Sequence, residues 1–326
     1  MTPNTTARPE RLRADLAPRA VLAALVLLVL FGALRYDGFL SEFNILTFLR
    51  YNSMFALIAL GMCFVIMTGG IDLSVGSTAA LASVVAALFS PSGILAGTAA
   101  GTGAGLGIGL LNGLIVIRLR IPPFIATLAT MLAASGTALL VSGNQSLSVS
   151  YDSGFTDVGQ GDLLGFPIPG WIAAIAFVLG SVALNYTRFG RHVLAVGGGE
   201  EAARLMGLPV DRVTASVYIL SGTLAGLAGV ILAAQFGAGQ PTEGVGWELF
   251  AIASVVLGGT LLTGGMGSVM ATLSGVMLLG LIFNLLNFEN GMGWISLRAY
   301  WQSVIRGALL LLVVVLQSRL TARNRP

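Results

Sequence analysis

The stretch that decides the fold runs from Leu73 to Ile117 and reads LSVGSTAALASVVAALFSPSGILAGTAAGTGAGLGIGLLNGLIVI. It contains no charged side chain. A membrane-spanning helix needs about 20 apolar residues, so this run is too long for one helix and long enough for two. The Pro91-Ser92-Gly93 sequence near its middle breaks a helix, because proline has no N–H to donate and glycine loses the most backbone freedom there. We therefore predict two membrane helices joined at residues 91–93.

The composition of the whole chain agrees with that stretch. Its 326 residues are 56% hydrophobic and 10% charged, and the mean hydropathy is +0.89. A soluble domain has about 25% charged residues, so this chain lacks the polar groups to cover a water-facing surface. A soluble enzyme, a secreted disulfide scaffold and a disordered chain are excluded. The fold class predicted is an all-α, polytopic membrane helical bundle.

The other apolar runs divide the chain into further spans of about one bilayer thickness each. The run 249–288 again needs two helices, with a break at Thr263-Gly264-Gly265-Met266-Gly267-Ser268. The first run has a basic flank like that of a signal peptide but is followed by no cleavage site, so we interpret it as an uncleaved helix. The predicted spans are 20–34, 51–71, two within 73–117, 122–142, 166–186, 214–236, two within 249–288, and 299–318. We expect about ten transmembrane helices in a single domain of residues 20–318, with tails at 1–19 and 319–326.

The arginines predict the orientation of the chain in the membrane. All 17 basic residues are arginine, and an even number of spans places both termini on one side. Thirteen of the arginines fall on that side, in the N-terminal tail, at 118–120, within 188–212 and in the C-terminal tail. Cytoplasmic loops carry such an excess, so both termini are predicted to be cytoplasmic. The net charge of +3 is then a sign of topology, and no nucleic-acid partner is expected.

Glycines recur at a spacing of four within the stretch quoted first. Gly97, Gly101, Gly105 and Gly109 form a small-xxx-small pattern, which lets membrane helices approach closely. Tight packing inside one subunit is the favoured interpretation, and a dimer interface is the alternative.

Asp72 is the most informative polar residue, because an ionisable group within an apolar run is costly and marks a functional site by default. It lies in the sequence TGGIDLSVGS, residues 68–77, where paired glycines allow an unwound turn. Asp72 or Ser74 either caps the helix that follows or contacts the substrate. Residues 263–268 repeat the glycine pattern without the acid, which suggests a duplicated architecture of the kind common in transporters.

Catalytic, metal and nucleotide sites are not predicted. Cys63 and His192 are the only residues of their kinds and lie far apart, so neither an intrachain disulfide nor a metal site is expected. The chain has no lysine and therefore no Gly-x-x-x-x-Gly-Lys phosphate-binding loop. We predict a protein without cofactor and without catalytic residues, which is not itself an enzyme.

A short helix is predicted within the arginine-bearing loop at about 187–213. The sequence from Glu200 to Met206 has acids at its start and Gly207 just past its end. Glu200 and Arg204 stand four residues apart and can pair. From these residues alone, a solvated connector is the favoured interpretation.

Four segments together resemble one family. They are GGIDLSVGS (69–77), IPPFIATL (121–128), GRHVLAVGGGEEAARLMG (190–207) and ASVVLGGT (253–260). They are similar to the permease subunits of ribose/xylose/galactofuranose-type ABC sugar importers, which are related to the branched-chain amino acid permeases. The resemblance extends from about Asn44 onward, and residues 244–249 and 287–291 look most like the galactofuranose type. Phe250 stands where relatives commonly have an acid, which leaves the identity of the sugar open.

The resemblance implies a multi-pass protein of the bacterial cytoplasmic (inner) membrane that imports a monosaccharide. The implied partners are an ATP-binding-cassette subunit, a periplasmic-type sugar-binding protein, a second permease that is a paralogue or an identical copy, and membrane lipid. It also implies that the short helix couples to the ATPase, through Gly199, Glu200, Glu201, Ala202, Ala203, Arg204 and Gly207.

The polar residues expected to face the sugar path are Asp72, Ser74, Asn112, Gln235 and Glu248. For Asn112, Gln235 and Asn284, hydrogen bonding between helices is the favoured alternative. An ion-coupled secondary transporter of a small polar solute, with Asp72 as its ion site, is the rival function. A membrane-embedded enzyme is a weaker third possibility.

Overall fold

The structure is a computed structural model that describes residues 16–291 and, beyond them, only residues 304, 307, 308 and 311. The described chain consists mostly of α-helices. In chain order they are α1 (Leu16–Arg35), α2 (Glu42–Met67), α3 (Val75–Phe89), α4 (Ile94–Arg118), α5 (Pro123–Ser142), α6 (Asp157–Gln160), α7 (Ile168–Tyr186), α8 (Arg188–Gly198), α9 (Glu200–Leu205), α10 (Val210–Phe236), α11 (Trp247–Leu257) and α12 (Val269–Gly291).

In the part of the chain that the structure describes, four two-residue strands form two antiparallel pairs between the helices. β1 (Leu147–Ser148) pairs with β4 (Ala238–Gly239), and β2 (Asp162–Leu163) pairs with β3 (Phe166–Pro167). Leu164 and Gly165, which join β2 to β3, both have positive φ, as a two-residue hairpin turn requires. The strands fasten loops at one end of the bundle and do not alter the all-α class.

Among the described residues, seven helices are long and apolar enough to cross a membrane: Glu42–Met67, Val75–Ser92, Ile94–Arg118, Pro123–Ser142, Ile168–Tyr186, Val210–Phe236 and Val269–Asn290. Two shorter apolar helices, Val21–Arg35 and Trp247–Leu257, lie at the first and eighth predicted spans. The tenth predicted span, 299–318, lies outside the continuously described residues. The multi-pass helical bundle is therefore confirmed, whereas the count of ten and the cytoplasmic location of both termini stay predictions.

The predicted breaks fall where the sequence places them. A short 3-10 helix, Ser90–Ser92, and Gly93 with φ +105° separate α3 from α4. Gly69 has φ +83° between α2 and α3, and Gly264 and Gly265 have φ +83° and +78° between α11 and α12. Glycine adopts these left-handed conformations without the steric cost of a side chain, so each break is encoded locally.

Helix α10 lies at the centre of the bundle and packs against α2, α3 and α4. From Met54 to Met67, every residue of α2 except Phe55 is buried. A helix that is apolar on all sides belongs in the interior, so α2 and α10 form the core around which the other helices pack.

The glycines of α4 pack against another helix of the same chain. A methyl group on Gly105 would meet backbone atoms of Gly222 and Gly226 in α10, and one on Gly109 would lie 2.5 Å from the carbonyl oxygen of Tyr218. Two helices can approach this closely only where both lack side chains. The prediction of tight packing within one subunit is confirmed.

Candidate functional site

The break between α2 and α3, residues 68–74, which we call the first break, encloses the carboxylate of Asp72, which is fully buried. Its Oδ1 accepts hydrogen bonds from the backbone N–H of Ser74 (3.0 Å) and from the Ser74 hydroxyl (2.6 Å). Its Oδ2 accepts a hydrogen bond from the hydroxyl of Ser221 in α10 (2.8 Å). A buried carboxylate is stable only when it is paired or hydrogen-bonded, and here three donors serve it. Asp72 therefore fastens the first break to the central helix.

The helix-cap role that the sequence offered for Ser74 is wrong. Ser74 precedes the first residue of α3, but its side chain makes no cap hydrogen bond. Its hydroxyl donates to Asp72 and accepts from the Asn112 side chain instead. Asp72 in turn binds the N–H two residues ahead of it, which closes an Asx turn.

The hydrogen bonds continue into α4 and α5. Asn112 Nδ2 donates to the Ser74 hydroxyl (2.9 Å), and the Thr130 hydroxyl donates to Asn112 Oδ1 (2.6 Å). We call the five buried side chains of Asp72, Ser74, Asn112, Thr130 and Ser221 the Asp72 network. The prediction that Asn112 bonds between helices is confirmed, and the bond brings it beside two of the other predicted path residues.

Three hydroxyl residues of this region were not predicted individually. Thr130 and Ser221 belong to the network, and Thr127 accepts from the backbone N–H of Leu73 (3.1 Å). Thr127 lies in the quoted segment 121–128, but nothing in its spacing indicates a bond to the first break. Hydroxyl residues are frequent in membrane helices, and only the packing of α5 and α10 against the break selects these three.

The remaining predicted path residues lie apart from the network. Glu248, in the first turn of α11, is half-buried, and a methyl group on Gly76 would lie 3.0 Å from its Oε2, so it stands beside the start of α3. Gln235 lies near the C-terminal end of α10, where its backbone carbonyl accepts from the Gln160 side chain (3.1 Å). Within the described residues its Oε1 has no hydrogen-bond partner. The bond between helices predicted for the Gln235 side chain therefore finds no support at this oxygen.

Asn284, the third amide considered for bonding between helices, pairs with Asn44 of α2. Its Nδ2 donates to Asn44 Oδ1 at 3.0 Å, and Asn44 Nδ2 donates back to Asn284 Oδ1 at 3.4 Å. The prediction for Asn284 is confirmed, and this amide pair fastens α12 to the beginning of α2.

A polar cavity of about 400 Å³ lies between the first break and α9. Its walls include Gly70, Arg120, Glu200, Arg204 and Tyr218. The Tyr218 hydroxyl is buried, has no hydrogen-bond partner among the described residues, and lies against Gly70, where a methyl group would collide with it. The cavity therefore reaches from the loop of α8 and α9 to the glycines that precede Asp72.

Helix α9 forms as predicted and ends at Leu205. Glu200 pairs with Arg204 (3.2 Å), and Arg204 also pairs with Asp211 at the start of α10 (2.8 Å). Asp211 and Glu200 raise the pKa of the Arg204 guanidinium, which stays charged. These pairs are exposed, so they orient α9 without adding much stability.

Two apolar side chains of the same loop face outward. Leu205 is 85% exposed and Met206 is 70% exposed, whereas Ala203 is buried against the rest of the protein. These two side chains are therefore accessible to a partner at this loop. Leu205 and Met206 are not among the residues predicted to couple to a partner.

Phe250 lies in an aromatic cluster. Its ring is 4.6 Å from that of Phe55 in α2 and 6.1 Å from that of Phe283 in α12, and Trp247 lies 4.8 Å from Phe55. The side chain is almost fully buried. Phe250 is therefore part of an apolar contact between three helices in this chain.

The fold and the site define a class: a multi-pass α-helical membrane protein with glycine-broken helices and a short helix outside the bundle, as in transport permeases. The family model described as "Branched-chain amino acid transport system / permease component" matches residues 44–314, and the chain belongs to this family.

Three relatives illustrate the similarity. The ribose import permease protein RbsC of Bacillus subtilis (strain 168) is 42% identical over 91% of this chain and 92% of its own length. RbsC of Escherichia coli (strain K12) is 37% identical over 92% and 93%, respectively. The L-arabinose ABC transporter permease protein AraH of Azospirillum brasilense is 37% identical over 89% and 85%. No solved structure matches the chain significantly.

These relatives identify the chain as a transport permease subunit. They do not favour the ion-coupled secondary transporter that the broken helices left open. The resemblance that the four sequence segments carry is thereby confirmed.

Proposed function

We propose that this chain forms the translocation path for a monosaccharide in an ATP-binding-cassette importer of the bacterial inner membrane. A separate subunit hydrolyses ATP, a binding protein delivers the sugar, and a second permease completes the path. The observation that carries the proposal is the match over about nine-tenths of the chain to permeases named for ribose and arabinose. The galactofuranose-type segments 244–249 and 287–291 add a hexose to the sugars to be tested.

The surface proposed to receive the ATPase is the exposed side of α9. Glu200, Glu201, Ala202 and Arg204 are exposed there, followed by the outward-facing Leu205 and Met206. Gly199 and Gly207 bound the helix, and Gly207 has φ +78°, which an amino acid with a side chain adopts at a cost. A rigid short helix with an apolar tip and charged sides is suited to a groove on a partner.

The path residues divide into two groups in this proposal. Asp72, Ser74 and Asn112 are already hydrogen-bonded to one another inside the chain, so a sugar hydroxyl reaches them only when the first break moves. Glu248 and Gln235 lie outside the network. We propose that they contact the sugar and that the Asp72 network sets the conformation of the first break.

Uptake by proteoliposomes tests the function. The chain would be reconstituted with candidate ATP-binding-cassette and sugar-binding subunits of the same organism, and the uptake of labelled ribose, arabinose and galactofuranose measured. We expect uptake of one sugar that requires both the binding protein and ATP on the ATPase side. Uptake driven by an imposed proton gradient without ATP would contradict the proposal.

Paired substitutions test the docking surface. Leu205→Ser removes the apolar tip, and Leu164→Ser removes an equally exposed leucine (90%) from the β2–β3 turn as a control. We expect Leu205→Ser to weaken association with the ATPase at least tenfold and Leu164→Ser to leave that association unchanged. The double variant Glu201→Arg, Arg204→Glu reverses charges on α9 and should also lose association; full ATP-dependent uptake by it would contradict the role of α9.

A further inference from the structure

The end of α8 is in direct backbone contact with the first break and with the second break, which comprises residues 258–268 between α11 and α12. A methyl group on Gly197 would collide with the carbonyl oxygen of Met67, the last residue of α2. A methyl group on Gly264 would lie 2.8 Å from the N of Gly69, and one on Gly265 would lie 2.9 Å from the Cα of Gly198. We call Gly69, Gly197, Gly264 and Gly265 the glycine junction.

A hydrogen bond closes the junction. The backbone N–H of Gly265 donates to the Met67 carbonyl oxygen at 2.9 Å, which joins the two breaks although they lie far apart in the chain. Because no side chain stands between these backbones, the three segments are in contact without compressible material between them. Close-packed contacts of this kind transmit displacement instead of absorbing it.

The junction lies between α9 and the segment that leads to Asp72. Gly197 and Gly198 end α8, and after Gly199 the chain enters α9, the proposed ATPase-docking helix. Met67 and Gly69 lead within five residues to Asp72. A displacement of α9 therefore reaches the first break through backbone contact alone.

We infer that Gly197 is a positioning residue for transport: it seats the end of α8 on the Met67 carbonyl, so that the two glycine breaks move with α9 as one body. The inference rests on the proposed function, since it requires that an ATPase displaces α9. Gly197 contacts neither the sugar nor the ATPase in this scheme.

Neighbouring glycines provide a matched test. Gly197→Ala forces α8 away from Met67, whereas a methyl group on Gly198 meets nothing within 4 Å. In the reconstituted complex we expect Gly197→Ala to keep ATPase association and ATP hydrolysis while sugar uptake per ATP hydrolysed falls at least tenfold. Gly198→Ala should match wild type. Wild-type uptake by Gly197→Ala, or an equal loss in both variants, would overturn the inference.

If Gly197→Ala does not assemble with its partners, a cross-link tests the same inference. In a Cys63→Ser background, Gly198→Cys and Met266→Cys place thiols on α8 and directly after Gly265, at an exposed and a half-exposed position. A short reducible cross-linker between them should leave uptake intact, because the junction stays closed through the cycle. Uptake that is lost on cross-linking and restored by reduction would overturn the inference. Absence of ATP-dependent uptake in the uncrosslinked wild type would instead contradict the proposed function.

Discussion

The two glycine breaks have the same backbone features but are fastened differently. The first, residues 68–74, is held by the side chain of Asp72, whose carboxylate is bonded to α10 and, through Ser74 and Asn112, to α4 and α5. The second, residues 258–268, has no acidic residue and is tied to the first by the backbone bond from Gly265 to Met67. Polar side chains thus fix one break within the bundle, and the other break follows it.

The largest effect is expected from removing the carboxylate that distinguishes the first break. Asp72→Ala leaves two buried hydroxyls and a backbone N–H without their acceptor, and we expect it to destabilise the protein by about 3 kcal/mol. A lower melting temperature of the purified protein in detergent would report the loss, and uptake should fall with it. Asp152→Ala, which changes an exposed loop acid, is the control. An unchanged melting temperature for Asp72→Ala would show that the first break does not depend on its carboxylate.

A smaller loss of stability is expected from disrupting the backbone contact that holds the second break. Gly265→Ala places a methyl group at φ +78° and 2.9 Å from the Cα of Gly198, at a cost of about 2 kcal/mol. Met266→Ala next to it, at a half-exposed position, should be nearly neutral. Melting temperatures of the two variants make the comparison. Equal melting temperatures for the two variants would contradict the conclusion that contact between glycines holds the second break in place.

Loss of the single hydrogen bond from α10 to Asp72 is expected to destabilise the protein less than loss of the whole carboxylate. Ser221→Ala leaves Asp72 Oδ2 without its donor, and we expect a loss of about 1.5 kcal/mol. Ser216→Ala on the same helix removes an exposed hydroxyl that bonds only the backbone of its own turn. It should leave the melting temperature unchanged. A double variant with Asp72→Ala should lose no more than Asp72→Ala alone, because both changes remove the same bond.

The smallest effect on stability is expected at α9, outside both breaks. Arg204→Gln removes the pairs with Glu200 and Asp211, which are exposed and screened by salt. We expect no change in melting temperature at low or high salt, while association with the ATPase weakens. A large drop in melting temperature would mean that α9 is part of the folded core and not a docking element.

Much of the fold could be predicted from the sequence because helix length and helix breaks are local properties. Among the described residues, seven of the predicted spans, the breaks at 91–93 and at residues 263–268, and the short helix beginning at Glu200 appear where the sequence places them. The site was predicted in part. Asp72, Ser74 and Asn112 do come together, but Glu248 and Gln235 stand apart, and Ser221 and Thr130 were missed.

There is a physical reason why the sequence alone determines some features of this protein and the tertiary structure decides others. Transfer of a segment into a bilayer depends on the side chains of that segment alone, so the apolar runs by themselves determine a multi-pass helical membrane protein. Which hydroxyls face a buried carboxylate depends on the rotation and depth at which helices pack, and so does the meeting of Gly197 with Met67 and Gly265. Residues far apart in the chain set that packing together. Only the tertiary structure decided that Asp72 is enclosed by α10 and that the two breaks touch at the end of α8.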